Sequence, residues 1–383
     1  MTNQLSLKEL GDLISSVFSP NQNDKALGIL IDMPDVRHPD HAHWRARREL
    51  AHKWTIDLRQ LKARLNLERV DAIYYQNVGN NNADLPQTAY FFVHSAPQSM
   101  QSLFTEGIPL PFVNIFQEFD MFLAPTEFSA TAPMKLNAAS HNFRAATMPG
   151  FSEAMIPALR LDYAEINRRV SLLKSLLDRA DAVEIQFRTD NDQSFKVQFD
   201  LRFRTAHASG GRFPEPGSAG NLPSGECYIV PYEGEKSATS ESRGILPVQF
   251  GDEIVLYKIE QNKAVEILSQ GAHSGVEAEK IHDEPAYANI AEIGFGVLKD
   301  FGIKPINELL LDEKLGLHIA FGRSDHFGGA VGAKNFSAPE KVVHIDRIFI
   351  PDTQPSIRVE WVKLMYQNQH ETLLMQDGEY TIF

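Results

Sequence analysis

The run Ala26–Met33, ALGILIDM, is followed by a charged amphipathic segment from His41 to Leu67 and then by a second apolar run, Asp71 to Gln76, DAIYYQ. An eight-residue apolar run without polar alternation suits a buried strand, and the intervening segment is long enough for one or two helices. Strand, helix and strand in this order give the unit of a parallel sheet with helices on its faces. The loop NVGNNNADLP (residues 77–86) then ends the second strand, because Asn, Gly and Pro disfavour regular structure. The rhythm continues through strands at Pro111 to Ile115 and Met121 to Ala124, a helix near Phe128 to His141, and a strand at Phe143 to Thr147. Residues 1–160 are therefore expected to form an N-terminal parallel α/β domain.

The texture changes at Leu161 to Arg179, LDYAEINRRVSLLKSLLDR, where Ile166, Val170, Leu172, Leu173, Leu176 and Leu177 are read as one helical stripe. Beyond it lie short β-type runs, DAVEIQFRT, SFKVQFDLRFR, ECYIVPYEG, EIVLYKI, LHIAFG and KVVHIDRIFI, separated by turn-rich stretches. Residues 161–383 are expected to form a mixed α+β, β-rich domain. At 383 residues the chain exceeds what one hydrophobic core usually supports, which agrees with two domains.

The net charge of −13 gives no electrostatic reason to expect nucleic acid or an anionic membrane surface as a partner. Cys227 is the only cysteine, so no intramolecular disulfide can form, and a reducing compartment, the cytoplasm, is expected. No apolar run is long enough for a conventional membrane-spanning helix, and the first residues lack the pattern of a signal peptide.

The candidate chemistry lies in the second half. In KVVHIDRIFI the period of two in a strand puts His344 and Asp346 on one face, about 7 Å apart, where both could reach one ion. The alternative is a surface strand with alternating polar residues. His318, in GLHIAFG, is either a core histidine satisfied by a carbonyl or a ligand. Glu292, in YANIAEIGFG, has small and apolar neighbours, where an ionised carboxylate is costly unless paired or coordinated. Glu226 follows the turn Asn221 to Gly225 and opens the strand ECYIVP, either entering a site or facing solvent at the strand end. Together these residues make an oxygen and nitrogen set suited to zinc, manganese, cobalt or iron(II), and the absence of a thiolate pair argues against a structural zinc.

The blocks NLPSGECYIVP, AEIGFG, LDEKLGLHIAFGRSDHFGG and HIDRIF, in this order, resemble the thermophilic aminopeptidase family, the aminopeptidase T and S group. The likeness spans roughly residues 120–350, with the FRAATMPGFSEAMIPALRLDY stretch at its start. It implies a dinuclear centre of divalent ions (zinc, cobalt or manganese) held by Glu226, Glu292, His318, His344 and Asp346, with Glu292 as the bridge. It also implies a small peptide or amide substrate and a homodimer. Where that family carries a tyrosine seven residues beyond the histidine, this chain has Asp325 followed by His326, the candidates to take over the phenol's role. The 2,5-dihydroxypyridine dioxygenases, which look like members of the same superfamily but carry a histidine at the Glu292 position, imply an alternative: one iron(II) on His318, His344 and Asp346. A third possibility is a catalytically silent binding protein of the same fold.

Other polar clusters have plainer readings. His38, His41 and His43 in HPDHAHW suit a solvated loop before a basic helix, and His282 to Pro285 a turn. Arg144 and Glu153 suit helix capping, and Cys227 points to the strand face opposite Glu226, as inert packing.

Overall fold

The computed structural model describes residues 4–92, 96–367 and 370–383. The chain divides into two compact units, one of Met1–Asn167 and Gly211–Ser224, the other of Arg168–Gly210 and Gly225–Phe383. The architecture is α/β in the first and β-rich in the second, as the patterning predicts.

The first unit is built on a seven-stranded sheet. Its order runs Ala219–Asn221, Arg144–Thr147, Met121–Ala124, Ala26–Met33, Arg69–Gln76, Thr88–Phe91 and Ile108–Pro111. The first five are parallel, and the last two add an antiparallel edge. Every residue of Ala26–Met33 is buried, the burial a central strand covered on both faces requires. The helices Ala42–Gln60 and Lys62–Leu65 make the crossover to Arg69–Gln76.

One predicted strand is misplaced. Pro111 to Ile115 is not a strand: the strand is Ile108–Pro111, and Phe112–Glu118 is a helix. Phe112, Ile115 and Phe116 are buried from that helix at spacings of three and four, so the apolar run belongs to a helical face. The IPLP segment itself, with two residues that cannot donate to a ladder, is confined to the sheet edge.

In the second unit an eight-stranded antiparallel sheet is accompanied by a five-stranded antiparallel one. The smaller sheet runs His344–Ile348, Leu317–Gly322, Ile290–Gly296, Glu226–Ile229 and His207–Ser209. The odd-numbered side chains of its three inner strands, including Cys227, Ile293, Phe295, Leu317, Ile319 and Phe321, are fully buried. They pack toward the larger sheet through ring contacts such as Tyr257 with Phe321 at 5.0 Å, and Phe349, just after the last strand, meets Phe187 at 4.9 Å. Burying each of these large apolar side chains contributes roughly 1.5–3 kcal/mol, which locks the register and commits the even-numbered residues to the opposite face. Among the described residues no helix is long and apolar enough to cross a membrane.

Candidate metal centre

Strand register brings the even-numbered residues together. Glu226 stands opposite Gly296, Tyr228 opposite Gly294, and Gly294 opposite His318. Glu292 stands opposite Ala320, which stands opposite Asp346, while Gly322 faces His344. Large polar side chains thus alternate with glycine and alanine across four strands. The spacing E-x-G-x-G at residues 292–296 makes room: a Cβ on Gly294 would fall 1.9 Å from His318 Nε2, and one on Gly296 would fall 2.1 Å from the backbone of Lys314. Neither glycine has a positive φ; both positions are required to be small because another group occupies the space.

Glu226, Glu292 and His318 form a buried group whose ligand atoms lie within 4.8 Å of one another, the spacing of donors around a metal ion. Glu292 presents its two oxygens to different partners. Oε1 lies 3.1 Å from His318 Nε2, and Oε2 lies 3.6 Å from His344 Nε2. Around Oε1 the set is completed by Glu226 Oε2, 3.6 Å from His318 Nε2; around Oε2 it is completed by Asp346 Oδ1, 3.7 Å from His344 Nε2. Glu226 Oε2 is buried and has no hydrogen-bond partner among the described residues. An ionised oxygen in that position is costly unless a cation meets it, so the donor set fits a metal on this side.

Both histidines are oriented from behind. His318 Nδ1 lies 3.4 Å from the Gly316 carbonyl and His344 Nδ1 lies 2.8 Å from the Arg323 carbonyl. With Nδ1–H donating to a carbonyl, each ring offers Nε2 to the carboxylates, the tautomer a metal ligand needs. With protons in place of metal, burial opposes charging of His318, but the Glu292 hydrogen bond outweighs it and the pKa rises to about 10. For His344 burial is again outweighed, here by Asp346 and Glu292, and the pKa rises to about 9. Burial pushes the Glu292 carboxyl above its usual range against the pull of His318. Asp346, though buried, is held below the usual range by His344.

Two participants are absent from the sequence reading. Lys314, completely buried, donates to Glu226 Oε1 at 2.8 Å and to Glu313. Burial disfavours its charge, but the two carboxylates outweigh this and hold the ammonium above its ordinary range. Burial raises Glu313 to about 8. Nothing local to the charged pair Glu313 and Lys314 separates it from a solvated turn before the strand Leu317–Gly322. The second participant is Glu233, which accepts from Asn289 Nδ2 (2.7 Å), Ser324 Oγ (2.5 Å) and Ala330 N. It ties the ends of two site strands to the loop that carries Asp325 and His326.

That loop covers the His344 side. The His326 ring centroid lies 5.4 Å from that of His344, and Phe327 packs on both His344 (5.6 Å) and Tyr228 (4.8 Å). Burial, then His344 and Arg323, depress His326 to about 4, so its imidazole is neutral at ordinary pH. Asp325 accepts from Arg323 Nε at 2.6 Å and sits 3.6 Å from His326 Nδ1, leaving Nε2 as the nitrogen free of Asp325. Tyr228 shares the face of Glu226; burial first, then Glu292 and Glu226, push its phenol well above its ordinary value, so it stays a neutral donor.

The remaining candidates have structural partners of their own. His41 is not simply solvated: it caps the helix Ala42–Gln60, accepting from Trp44 N at 3.3 Å, with Nε2 3.1 Å from Glu127. Arg144 is not a helix cap but a buried cross-link, donating to the carbonyls of Phe18 (2.6 Å) and Pro214 (3.2 Å) and pairing with Asp24. Cys227 is buried, and desolvation raises its thiol, as expected of packing.

The fold has known structural counterparts. The chain is similar to 2,5-dihydroxypyridine dioxygenase from Pseudomonas putida KT2440, with a TM-score of 0.60 and 14% identity over 99% of each chain. It is similar as well to wild-type AmpT, an aminopeptidase T, from Thermus thermophilus, with a TM-score of 0.55 and 14% identity over 98% of this chain and 99% of that one. Both neighbours are enzymes, and the likeness establishes a shared fold. No protein-family model and no curated protein sequence matches the chain.

Proposed function

We propose that the chain is a metal-dependent hydrolase of the aminopeptidase kind, with two divalent ions held by Glu226, Glu292, His318, His344 and Asp346. The observation that carries the reading is the divided carboxylate of Glu292, one oxygen toward His318 and Glu226, the other toward His344 and Asp346. A bridging carboxylate between two ions has this arrangement. Zinc, cobalt or manganese bound there would acidify a water and polarise a scissile carbonyl. The protein's own part would be to hold the ions and to handle protons: Glu292 would serve both ions, and His326 Nε2, neutral and beside His344, would accept a proton. Asp325, already engaged with Arg323, orients His326. Tyr228 can donate its phenolic hydrogen to the oxygen on which charge develops.

The substrate in this reading is a short peptide or amide, and the active form a homodimer in the cytoplasm. Chelator-stripped protein reloaded with manganese, cobalt or zinc is expected to cleave leucine anilide and free dipeptides. Turnover of neither by any metal form would reject the hydrolase. Size measurement by light scattering should give twice the chain mass.

A second reading has its own observation. Lys314 already neutralises one oxygen of Glu226, which leaves His318, His344 and Asp346 as a facial triad for a single iron(II). The chain is similar in fold to a 2,5-dihydroxypyridine dioxygenase, and this reading extends that protein's named activity to it. Oxygen uptake with a dihydroxylated pyridine ring, in the iron(II) form, is its test.

A further inference from the structure

The two sides of the centre offer equal donors, two carboxylate oxygens and one imidazole each, but unequal surroundings. On one side Glu226 is bonded to Lys314, whose side chain is wholly buried and whose ammonium is shared only with Glu313 and Glu226 among the described residues. The Lys314 side chain has no exposed surface, and its backbone is packed against Gly296, where a Cβ would meet it at 2.1 Å. On the other side His344, one-fifth exposed, is paired with Asp346 at 3.7 Å and with Glu292 at 3.6 Å. No ammonium is hydrogen bonded to them among the described residues.

We infer that Lys314 is a built-in cation of the centre, which makes the Glu226, His318 and Glu292 seat the weaker of the two, so that the His344, Asp346 and Glu292 seat fills first. The inference rests on the two-metal reading above and adds an order of loading to it. The physical reason is direct: a fixed positive charge bonded to one oxygen of a carboxylate repels a divalent ion approaching the other, in a site where water screens little. The same ammonium has a second consequence. It bonds to both Glu226 and Glu313 in the metal-free protein, so the weak seat keeps a partner when empty and can fill or empty as metal supply changes.

The test is a titration of the chelator-stripped full chain with Mn²⁺, counting free ion by its paramagnetic resonance signal. The wild type is expected to bind in two steps, the second weaker by at least about tenfold, the size expected for one nearby unit charge. Glu226→Gln should abolish the weak step and keep the tight one, and Asp346→Asn should abolish the tight one. Lys314→Met should tighten the weak step by at least about tenfold. Because Lys314→Met leaves two buried carboxylates facing each other, Lys314→Met with Glu313→Gln is measured beside it, with thermal melting to confirm folding, and should show the same tightening. Two equal steps in the wild type, or a weak step that Lys314 replacement leaves unchanged, would overturn the inference while leaving peptide cleavage untouched. Absence of peptide cleavage alongside two unequal steps would reject the hydrolase and leave the loading order standing.

Discussion

The two ends of the centre differ more than their ligands do. At the Glu226 end everything is sealed: His318 and Lys314 are wholly buried, the glycines at 294 and 296 are filled by their neighbours, and one carboxylate oxygen is left without a donor. At the His344 end the ring is partly exposed and a loop with Asp325, His326 and Phe327 lies over it. The difference teaches a division of labour. In the proposed hydrolase the closed end would set charge and position, and the open end would be where a substrate and a proton acceptor meet. Glu292 belongs to both.

Replacing the shared residue should do the most damage. Glu292→Gln keeps the volume but removes the charge from both seats, and kcat/KM is expected to fall by about a thousandfold or more, a loss of several kcal/mol in transition-state stabilisation. Metal content measured on the same variant should fall with it; retained binding at both seats would remove Glu292 as the bridge.

The next effect is that of pH on metal uptake, and it involves both ends. Without metal, His318 at about 10 and His344 at about 9 carry protons at neutral pH. A ligand imidazole must be neutral, so loading releases up to two protons, and affinity should rise by up to about a hundredfold per pH unit below pH 9. The linkage for the metal-free fold runs the other way. These raised pKa values contribute stability that is fully present below about 6.5 and lost as pH climbs through 9 to 10. Calorimetry in buffers of different ionisation enthalpy counts the released protons; none released would refute the protonated histidine pair.

At the open end alone, His326→Ala should leave metal content unchanged and lower kcat by about a hundredfold, the usual worth of a positioned proton acceptor. An equal loss of metal would make His326 a ligand instead. At the closed end alone, Gly294→Ala forces the His318 ring to move, and metal affinity of the Glu226 seat should drop by about tenfold, comparable to losing a supporting contact. Unchanged affinity would show that the ring has room to spare.

Much of this was legible in the sequence because strands have a period of two. ALGILIDM identified a central strand, and H-I-D put His344 and Asp346 on one face. Glu292 stood out as a carboxylate in an apolar setting. The same periodicity also explains the glycines, since residues 292, 294 and 296 share a face, but only the neighbouring strand shows that His318 fills the gap. Phe112 to Ile115 were misread because a short apolar run suits a strand or one turn of helix equally well. Lys314 was invisible for a different reason. A lysine in a charged tetrapeptide is ordinarily solvated, and nothing local reveals that Glu226, 88 residues earlier, folds against it.

The claim on which the rest depends is that Glu292 joins two cation positions, one toward His318 and Glu226, the other toward His344 and Asp346. Anomalous diffraction at the manganese edge, from crystals grown in excess Mn²⁺, tests it most directly. Two peaks are expected, each about 2.0–2.2 Å from one oxygen of Glu292, at the distance of a first-row metal from a carboxylate. No peak beside Glu292, or peaks only on the protein surface, would contradict it.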